Sequence, residues 1–263
     1  MKSPLIAPNR LKIHGCTVIF ISGTGTGVGK TLLTGLLLRH LRSTGRRALA
    51  IKPFCSGGAG DVDLLRALQD DELSAREVNP FYFREPVAPL VAARKHRRRI
   101  GLAEVLRKVL TVAQRCDWLL VEGAGGLLAP LGSRFTALDL IARLGCEVIV
   151  AAPNKLGTLN HTLLTVRALR AAAVRRLKVV LMDARHPDPS AESNPRLLAE
   201  WLAPAPLFQA PFLGMRCCTI RAVERNAQKI RPLLERILRQ GCMPQKRKST
   251  IFTKNSCAAP GLE

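Results

Sequence analysis

The apolar residues of the chain fall into short runs that are separated by longer amphipathic segments. Five runs are hydrophobic throughout, as is typical of strands that are buried on both faces: 17–22, 48–51, 118–121, 148–151 and 179–182. Helical spacing of apolar residues predicts helices over 31–42, 63–69, 102–115, 135–144, 159–170 and 196–202. This alternation predicts an α/β fold with a single doubly wound, mostly parallel sheet and helices on both faces. In such a sheet ligands bind at the carboxyl ends of the strands.

The chain of 263 residues has room for one large α/β domain, which we place at 15–240. Residues 1–14 are predicted to be an extension. Residues 241–263 are polar, basic and rich in turn residues, and we expect a tail without assigned structure.

Composition narrows the class of protein. With 47% hydrophobic residues the chain can bury a core, which excludes global disorder, and no apolar run reaches the length of a membrane span. The formal charge of +22 favours polyanionic ligands without saying which. The eight cysteines form no CxxC pair, so we expect reduced structural thiols in a cytoplasmic protein.

A glycine-rich loop, GTGTGVGKT, connects the first predicted strand to the first predicted helix. It is one residue longer than the usual GxxxxGK[ST] loop, because Thr24 stands where that pattern has a glycine. Glycines let backbone N–H groups point at an anion, the ammonium of Lys30 reaches the β- and γ-phosphates, and the Thr31 hydroxyl is a ligand for Mg²⁺. The loop predicts a P-loop fold that binds a nucleoside triphosphate.

Four further blocks follow predicted strands or begin helices: KPFCSGG at 52–58, NPFYFREPVAP at 79–89, VEGAGG at 121–126 and NKLGTLNH at 154–161. Together with the glycine loop, and in this order, they resemble the dethiobiotin synthetase family over about residues 18–213. The resemblance implies a homodimeric P-loop enzyme of biotin biosynthesis that uses ATP and Mg²⁺. Its expected reaction joins CO2 to 7,8-diaminononanoate and closes the ring to dethiobiotin, with release of ADP and phosphate.

The resemblance also implies roles for individual residues. Lys52 and Lys30 are the expected catalytic cations. The expected nucleotide contacts are Gly27, Val28, Gly29, Lys30, Thr31, Leu32, Asp63, Glu122, Gly123, Ala124, Gly125, Met182, Asp183, Pro211, Phe212 and Leu213. Ser56, Gly157, Thr158 and Asn160 are expected to contact the substrate, the last three from the neighbouring subunit.

The expected metal ligands are Thr31, Glu122 and an aspartate at the start of the second helix. Asp63 is the preferred aspartate, and Asp61, two residues earlier, is the open alternative.

The chain departs from the family pattern in the segment that is expected to contact the base of the nucleotide. Met182 stands where the family usually has an asparagine, and methionine cannot make the paired hydrogen bonds of an amide. We therefore expect a looser choice of base. Cys218 lies close to the position of an acidic residue that this chain lacks.

A DNA- or membrane-associated partitioning ATPase of the same superfamily is the alternative, because the basic charge would suit such a surface. Those proteins carry a lysine early in the loop, where this chain has Gly25. The basic run at 94–99 is interpreted as a solvated segment, so neither a nucleic-acid nor a membrane partner is expected.

Overall fold

The computed structural model describes residue 11 and residues 13–239. The predicted tail at 241–263 and most of the predicted extension at 1–14 lie outside these residues, so both stay predictions. Among the helices that are described, none is long and apolar enough to cross a membrane.

Ten strands and ten helices make up the described part of the chain. The strands are β1 (Thr17–Gly23), β2 (Ala48–Ile51), β3 (Phe54–Ser56), β4 (Phe81–Phe83), β5 (Trp118–Glu122), β6 (Pro130–Gly132), β7 (Phe135–Thr136), β8 (Glu147–Pro153), β9 (Leu177–Met182) and β10 (Leu207–Ala210). The helices are α1 (Lys30–Ser43), α2 (Gly60–Leu68), α3 (Ala75–Val78), α4 (Pro89–Lys95), α5 (Leu102–Ala113), α6 (Ala137–Leu144), α7 (Thr158–Ala171), α8 (Ser190–Leu202), α9 (Ile220–Lys229) and α10 (Arg231–Leu238).

The central sheet has six strands in the order β10-β9-β8-β1-β5-β2, and every neighbouring pair is parallel. The chain runs outward from β1 to the β2 edge, returns through β5, and then builds β8, β9 and β10 on the other side. Strand order therefore reverses around β1, which opens a crevice beyond the carboxyl ends of β1 and its neighbours. The predicted doubly wound parallel sheet is confirmed.

Helices cover the sheet on both faces. Helix α1 packs on α2, α9 and α10, whereas α6 packs on α5, and β1 contacts both α1 and α6. All residues of β1 from Val18 to Ser22 are buried, although their side chains point alternately to opposite faces. The uniform hydrophobicity that predicted these strands is thus the consequence of a core on each side of the sheet.

The structure differs from the predicted elements mainly at their ends. The helix predicted over 135–144 begins at Ala137, because Phe135 and Thr136 pair with β6. The side chain of Asp139 accepts hydrogen bonds from the backbone N–H and the hydroxyl of Thr136, which closes a capping box. The helix predicted over 63–69 begins at Gly60, so that Asp61 lies in its first turn.

A buried ion pair joins β8 to β9 at the amino-terminal end of the sheet. Lys178 Nζ lies 2.6 Å from Glu147 Oε1, and both residues are almost completely buried. The contact is an ion pair by distance rather than an aligned hydrogen bond, since Glu147 Oε1 has no hydrogen-bond partner. Lys178 Nζ also donates to the carbonyl oxygens of Ile237 (2.5 Å) and Arg239 (2.9 Å), which attaches the end of α10 to the sheet.

We expect Lys178→Met to lower the free energy of unfolding by about 3–5 kcal/mol, because it leaves the Glu147 carboxylate buried without a cation. The double variant Glu147→Gln/Lys178→Met removes both charges and should recover part of this loss. Urea unfolding followed by circular dichroism measures both. Arg196→Ala, which breaks the exposed pair of Arg196 with Glu200, is the control and should leave the midpoint unchanged. If the midpoint of Lys178→Met changed as little as that of Arg196→Ala, the result would contradict the prediction.

Candidate active site

The glycine loop between β1 and α1 lies at the end of a central strand and has the geometry of an anion site. Gly27 and Gly29 have φ angles of +72° and +92°, a region that favours glycine. Helix α1 begins directly after Gly29 with no side-chain cap and no acidic residue in its first turn. Its first N–H groups are therefore available to a negatively charged ligand, which the helix dipole also favours.

Gly29 allows a close approach between the loop and the end of β9. A Cβ atom at this position would lie 3.2 Å from Met182 Cε and 3.3 Å from its Cγ. Met182 thus packs directly against the glycine loop.

Lys30 is buried at the start of α1, and its ammonium donates a hydrogen bond of 2.6 Å to the carbonyl oxygen of Gly25. Burial is the main cause that lowers the pKa of Lys30, to about 8, and the nearby positive charge of Lys52 acts in the same direction. The negative charges of Glu122 and Asp61 oppose this shift without cancelling it. Phosphate oxygens would supply the negative charge that this lysine lacks.

A second group of charges lies at the ends of β2 and β5. Glu122 is the last residue of β5 and is 1% exposed, while Lys52, directly after β2, is 7% exposed. Lys52 Nζ donates to Glu122 Oε1 at 2.8 Å and also contacts Asp61 Oδ2. The hydroxyl of Thr31 donates to Glu122 Oε1 at 2.7 Å. Four elements therefore meet in one charged cluster: the ends of β2 and β5 and the first turns of α1 and α2.

Charge pairing decides the protonation of Lys52. Burial by itself would lower its pKa, but the carboxylates of Glu122 and Asp61 outweigh burial and raise it above the usual range. Lys52 is thus an ammonium at any physiological pH. The two lysines differ because Lys52 has two anionic partners, whereas Lys30 donates to a neutral carbonyl.

Strand pairing beside the site holds the Lys52 backbone in place. The amide of Asn79 donates to the Lys52 carbonyl oxygen at 2.5 Å, and the Lys52 N–H donates to Val78 at 2.9 Å. Beyond this point β3 pairs with β4, and the rings of Phe54 and Phe81 stack with their centroids 4.8 Å apart. The NPFYF block therefore supports Lys52, a role that the sequence alone did not reveal.

The charged cluster opens into a cavity of about 960 Å³, a volume in the range of small-molecule binding sites. It contains most of the predicted site residues: Gly27, Gly29, Lys30, Thr31, Leu32, Lys52, Ser56, Glu122, Gly123, Ala124 and Gly125. A separate cavity of about 40 Å³ beside Cys146 and Arg176 is too small for a nucleotide.

The two candidate aspartates have different surroundings. Asp61 lines the cavity and contacts Lys52, whereas Asp63 is exposed and lies outside the cavity lining. The difference arises because α2 begins at Gly60, which places Asp61 at its second residue, beside the charged cluster.

Several predicted site residues lie outside this cavity within the single chain. They are Val28, Met182, Asp183, Pro211, Phe212, Leu213, Gly157, Thr158 and Asn160. Val28 is buried behind the loop, and Thr158 is buried in α7, where its hydroxyl lies 3.4 Å from that of Thr162. Gly157 and Asn160 are exposed at the start of α7.

Two side-chain amides form hydrogen bonds with Asp183, in the segment that is expected to bind the base. Asp183 accepts hydrogen bonds from the side-chain amides of Asn154 (2.8 Å) and Gln209 (2.9 and 3.0 Å). The expectation of a looser base choice at Met182 stays a prediction.

The oxygen atoms at the charged cluster suit a divalent cation. Glu122 Oε2 is buried and has no hydrogen-bond partner, so a buried carboxylate oxygen is free to bind a cation. Within the described residues no cluster of three or more His, Cys, Asp or Glu side chains could hold a metal by itself. Two carboxylates and a hydroxyl instead leave coordination positions for phosphate oxygens and water, which is the coordination that Mg²⁺ favours beside a nucleotide. The residues fit Mg²⁺ together with a nucleoside triphosphate.

Sequence reasoning missed part of the cavity wall. Thr26, Gly60, the segment from Pro86 to Pro89, and the adjacent Cys217 and Cys218 all line it. The cysteines carry no spacing signal, and only the tertiary fold brings the loop between β10 and α9 to this cavity.

The chain is similar to known proteins over most of its length. The AAA domain family model matches residues 17–249. The ATP-dependent dethiobiotin synthetase of Anaeromyxobacter sp. (strain Fw109-5) is 42% identical over 194 residues, which is 72% of this chain and 87% of that protein. The corresponding proteins of Bacillus licheniformis and Caulobacter sp. (strain K31) are 34% and 38% identical over 202 residues, covering 83% and 87% of their lengths and 74% and 73% of this chain.

Solved structures with a similar fold are more distant in sequence. The MinD cell division protein of Aquifex aeolicus superposes with a TM-score of 0.54 over 88% of this chain and all of its own, at 16% identity. Its complex with MinC gives 0.55 at 14% identity, with 88% and 99% coverage. At this identity the likeness shows the shared fold alone.

Sequence identity over most of both chains, together with the shared P-loop fold, establishes the family. The chain belongs to the family of the ATP-dependent dethiobiotin synthetases.

Proposed function

We propose that this chain uses ATP to carboxylate 7,8-diaminononanoate and close its ureido ring, which gives dethiobiotin, ADP and phosphate. One amine takes up CO2 to form a carbamate, a carbamate oxygen attacks the γ-phosphorus of ATP, and ADP leaves. The second amine then attacks the carbonyl carbon and expels phosphate, which closes the ring.

The observation that carries the proposal is the meeting of two lysine ammonium groups at one cavity beside a P-loop. Lys30 and Lys52 both line the cavity, and they lie close enough for the charge of Lys52 to lower the pKa of Lys30. A carbamate and a γ-phosphate are both anions, so their approach requires cations around both. The alternative partitioning ATPase has its additional lysine early in the glycine loop, where this chain has Gly25, and it gives no account of a buried lysine at the end of β2 that faces the same space.

The two lysines take different parts in this scheme. Lys30, at the start of α1, faces the β- and γ-phosphates together with the free N–H groups of the helix. Lys52 comes from the end of β2, on the far side of β5 from β1, and approaches the carbamate and the transferring phosphoryl group. Ser56, half-buried in the same wall, offers a hydroxyl to the diamine.

Asp61, Glu122 and Thr31 are the proposed Mg²⁺ ligands, and Asp61 takes the place that the sequence assigned to Asp63. The contact of Asp61 with Lys52 and the free oxygen of Glu122 support this choice. When bound, Mg²⁺ would neutralise charge on the phosphates.

A homodimer is part of the proposal. The distal carboxylate of the substrate needs its own anion site, and the start of α7 of a second copy would supply it. Helix α7 starts after Gly157, which has a φ angle of +89°, and it has neither a side-chain cap nor an acidic residue in its first turn. This helix end lies outside the cavity of its own chain. The neighbouring Leu156 is 80% exposed, which suits a surface that a second copy covers. A cytoplasmic location belongs to the same proposal.

Incubation with diaminononanoate, bicarbonate, Mg²⁺ and ATP is expected to give dethiobiotin and ADP in equal amounts, as measured by mass spectrometry. Lys52→Gln should lower kcat by at least about 100-fold while ATP still binds, because the lost charge acts on the reacting groups. Lys108→Gln makes the same change on the exposed surface of α5 and should retain activity. Turnover in Lys52→Gln within a few-fold of wild type would contradict the assignment of Lys52.

The affinity for ATP is expected to fall as pH rises through 8. Lys30 has a pKa of about 8 in the free protein, so it is charged below this pH and becomes neutral above it. Since the phosphates bind the charged form, the Kd for ATP should be flat below pH 7.5 and rise by up to about tenfold per unit above pH 8. Calorimetric titration at several pH values measures this. Lys30→Met should bind weakly with no such dependence, and a constant Kd in the wild type up to pH 9 would be inconsistent with the role of Lys30.

Asp61 and Asp63 lie two residues apart on the same helix, so the same substitution at each position can be compared directly. Only the residue that binds Mg²⁺ should be sensitive to it. Asp61→Asn should lower ring-closure activity by at least about tenfold and raise the Mg²⁺ concentration needed for half-maximal rate. Asp63→Asn should leave both near wild type. The reverse result would restore Asp63 as the ligand.

A further inference from the structure

Two adjacent thiols lie in the wall of the catalytic cavity. Cys217 and Cys218 occupy the loop between β10 and α9, and both line the cavity that contains Lys30, Lys52, Asp61 and Glu122. The reacting groups of the proposed function do not include either thiol.

The two thiols are close to each other and open to the cavity. The two residues are consecutive in the chain and both line the cavity, and Cys217 is half-buried while Cys218 is exposed. Although Cys218 is open to the cavity, desolvation by the surrounding wall and the proximity of Cys217 raise its pKa to about 12, with smaller effects from Asp61 and Glu122. Cys218 is therefore a neutral thiol at physiological pH.

The number of donors selects the kind of ligand. Within the described residues no third metal-type ligand completes a site with this pair, which disfavours Zn²⁺ with its four ligands. A neutral thiol also disfavours simple alkylation, which requires the thiolate. A trivalent organoarsenical needs only two sulphur atoms and accepts them from neutral thiols with loss of water.

We propose that Cys217 and Cys218 form a dithiol site that binds monosubstituted trivalent arsenicals, and that its occupation closes the cavity to ATP. With phenylarsine oxide, two S–H bonds break, two As–S bonds form and one water molecule leaves. Arsenic and sulphur keep their oxidation states, so no oxidant is required. The phenyl group remains in the cavity beside the charged cluster. The loss of activity rests on the proposed function, whereas the formation of the adduct does not.

A second thiol pair in the chain provides a matched control. Cys16 Sγ and Cys116 Sγ lie 3.9 Å apart, just before β1 and β5, and neither lines the cavity. This pair lies at the amino-terminal ends of the strands, whereas the glycine loop lies at their carboxyl-terminal ends. Cys55 also lines the cavity, but it is buried, and its thiol donates to the Gly58 carbonyl oxygen.

The experiment treats the full-length protein with phenylarsine oxide and identifies the bridged cysteines by mass spectrometry of proteolytic peptides. One equivalent should bridge Cys217 and Cys218 and abolish ring closure. A dithiol such as dimercaptopropanol should reverse the adduct, while a monothiol should not. Cys217→Ser and Cys218→Ser should each weaken labelling by about 100-fold, because the second As–S bond no longer forms within the same molecule. Cys16→Ser/Cys116→Ser should label and turn over like the wild type.

Protection by nucleotide tests the connection to the cavity. ATP with Mg²⁺, at about ten times its Kd, should slow labelling about tenfold by mass action. An adduct on other cysteines, or none, would overturn the dithiol site. An adduct on Cys217 and Cys218 that ATP does not slow would overturn the closure of the cavity. If ATP protects the pair but the untreated protein makes no dethiobiotin, the proposed function fails and the dithiol site stands.

Discussion

The arrangement of the site depends on one constraint, the buried carboxylate at the end of β5. Glu122 is 1% exposed, and a charged group at such a position is costly unless a cation and hydrogen-bond donors surround it. The ammonium of Lys52 and the hydroxyl of Thr31 meet this need from β2 and α1. Asp61 approaches the same ammonium from α2. Neutralising one carboxylate therefore brings together four elements that are distant in sequence.

The same cluster explains how the free protein stays ready for an anionic ligand. Lys30 donates to a carbonyl of its own loop, and Lys52 is shared by two carboxylates, so neither ammonium is left without a partner. These interactions are weaker for Lys30, whose pKa falls to about 8, than for Lys52, whose pKa rises. Groups that are positioned before the ligand arrives need little rearrangement when charge develops during the reaction.

The fold of this protein is shared with distant proteins, whereas its candidate site depends on particular side chains. The fold is shared with MinD proteins, whose structures superpose over most of the chain at low identity. The candidate site lies at the strand ends, where Lys52 and Glu122 meet. The basic run at 94–99 is exposed, and Arg98 pairs with Glu104 and lies over the ring of Phe81. Its interpretation as a solvated segment agrees with these local contacts, although α4 includes its first two residues.

The sequence by itself determined the parallel sheet and identified the glycine loop as a candidate phosphate site, because uniform hydrophobicity and a glycine loop are local signals. Lys30, Thr31, Lys52 and Glu122 could be picked out as candidates, since each lies at the end of a strand, directly after one, or in the first turn of the following helix, inside a recognisable block. Only the tertiary structure placed Asp61 rather than Asp63 beside Lys52, because the choice depends on where α2 begins. It likewise decided that Asn79 holds the Lys52 backbone and that Cys217 and Cys218 face the cavity. Such contacts join residues far apart in the chain, and no local pattern of residues encodes the packing that brings them together.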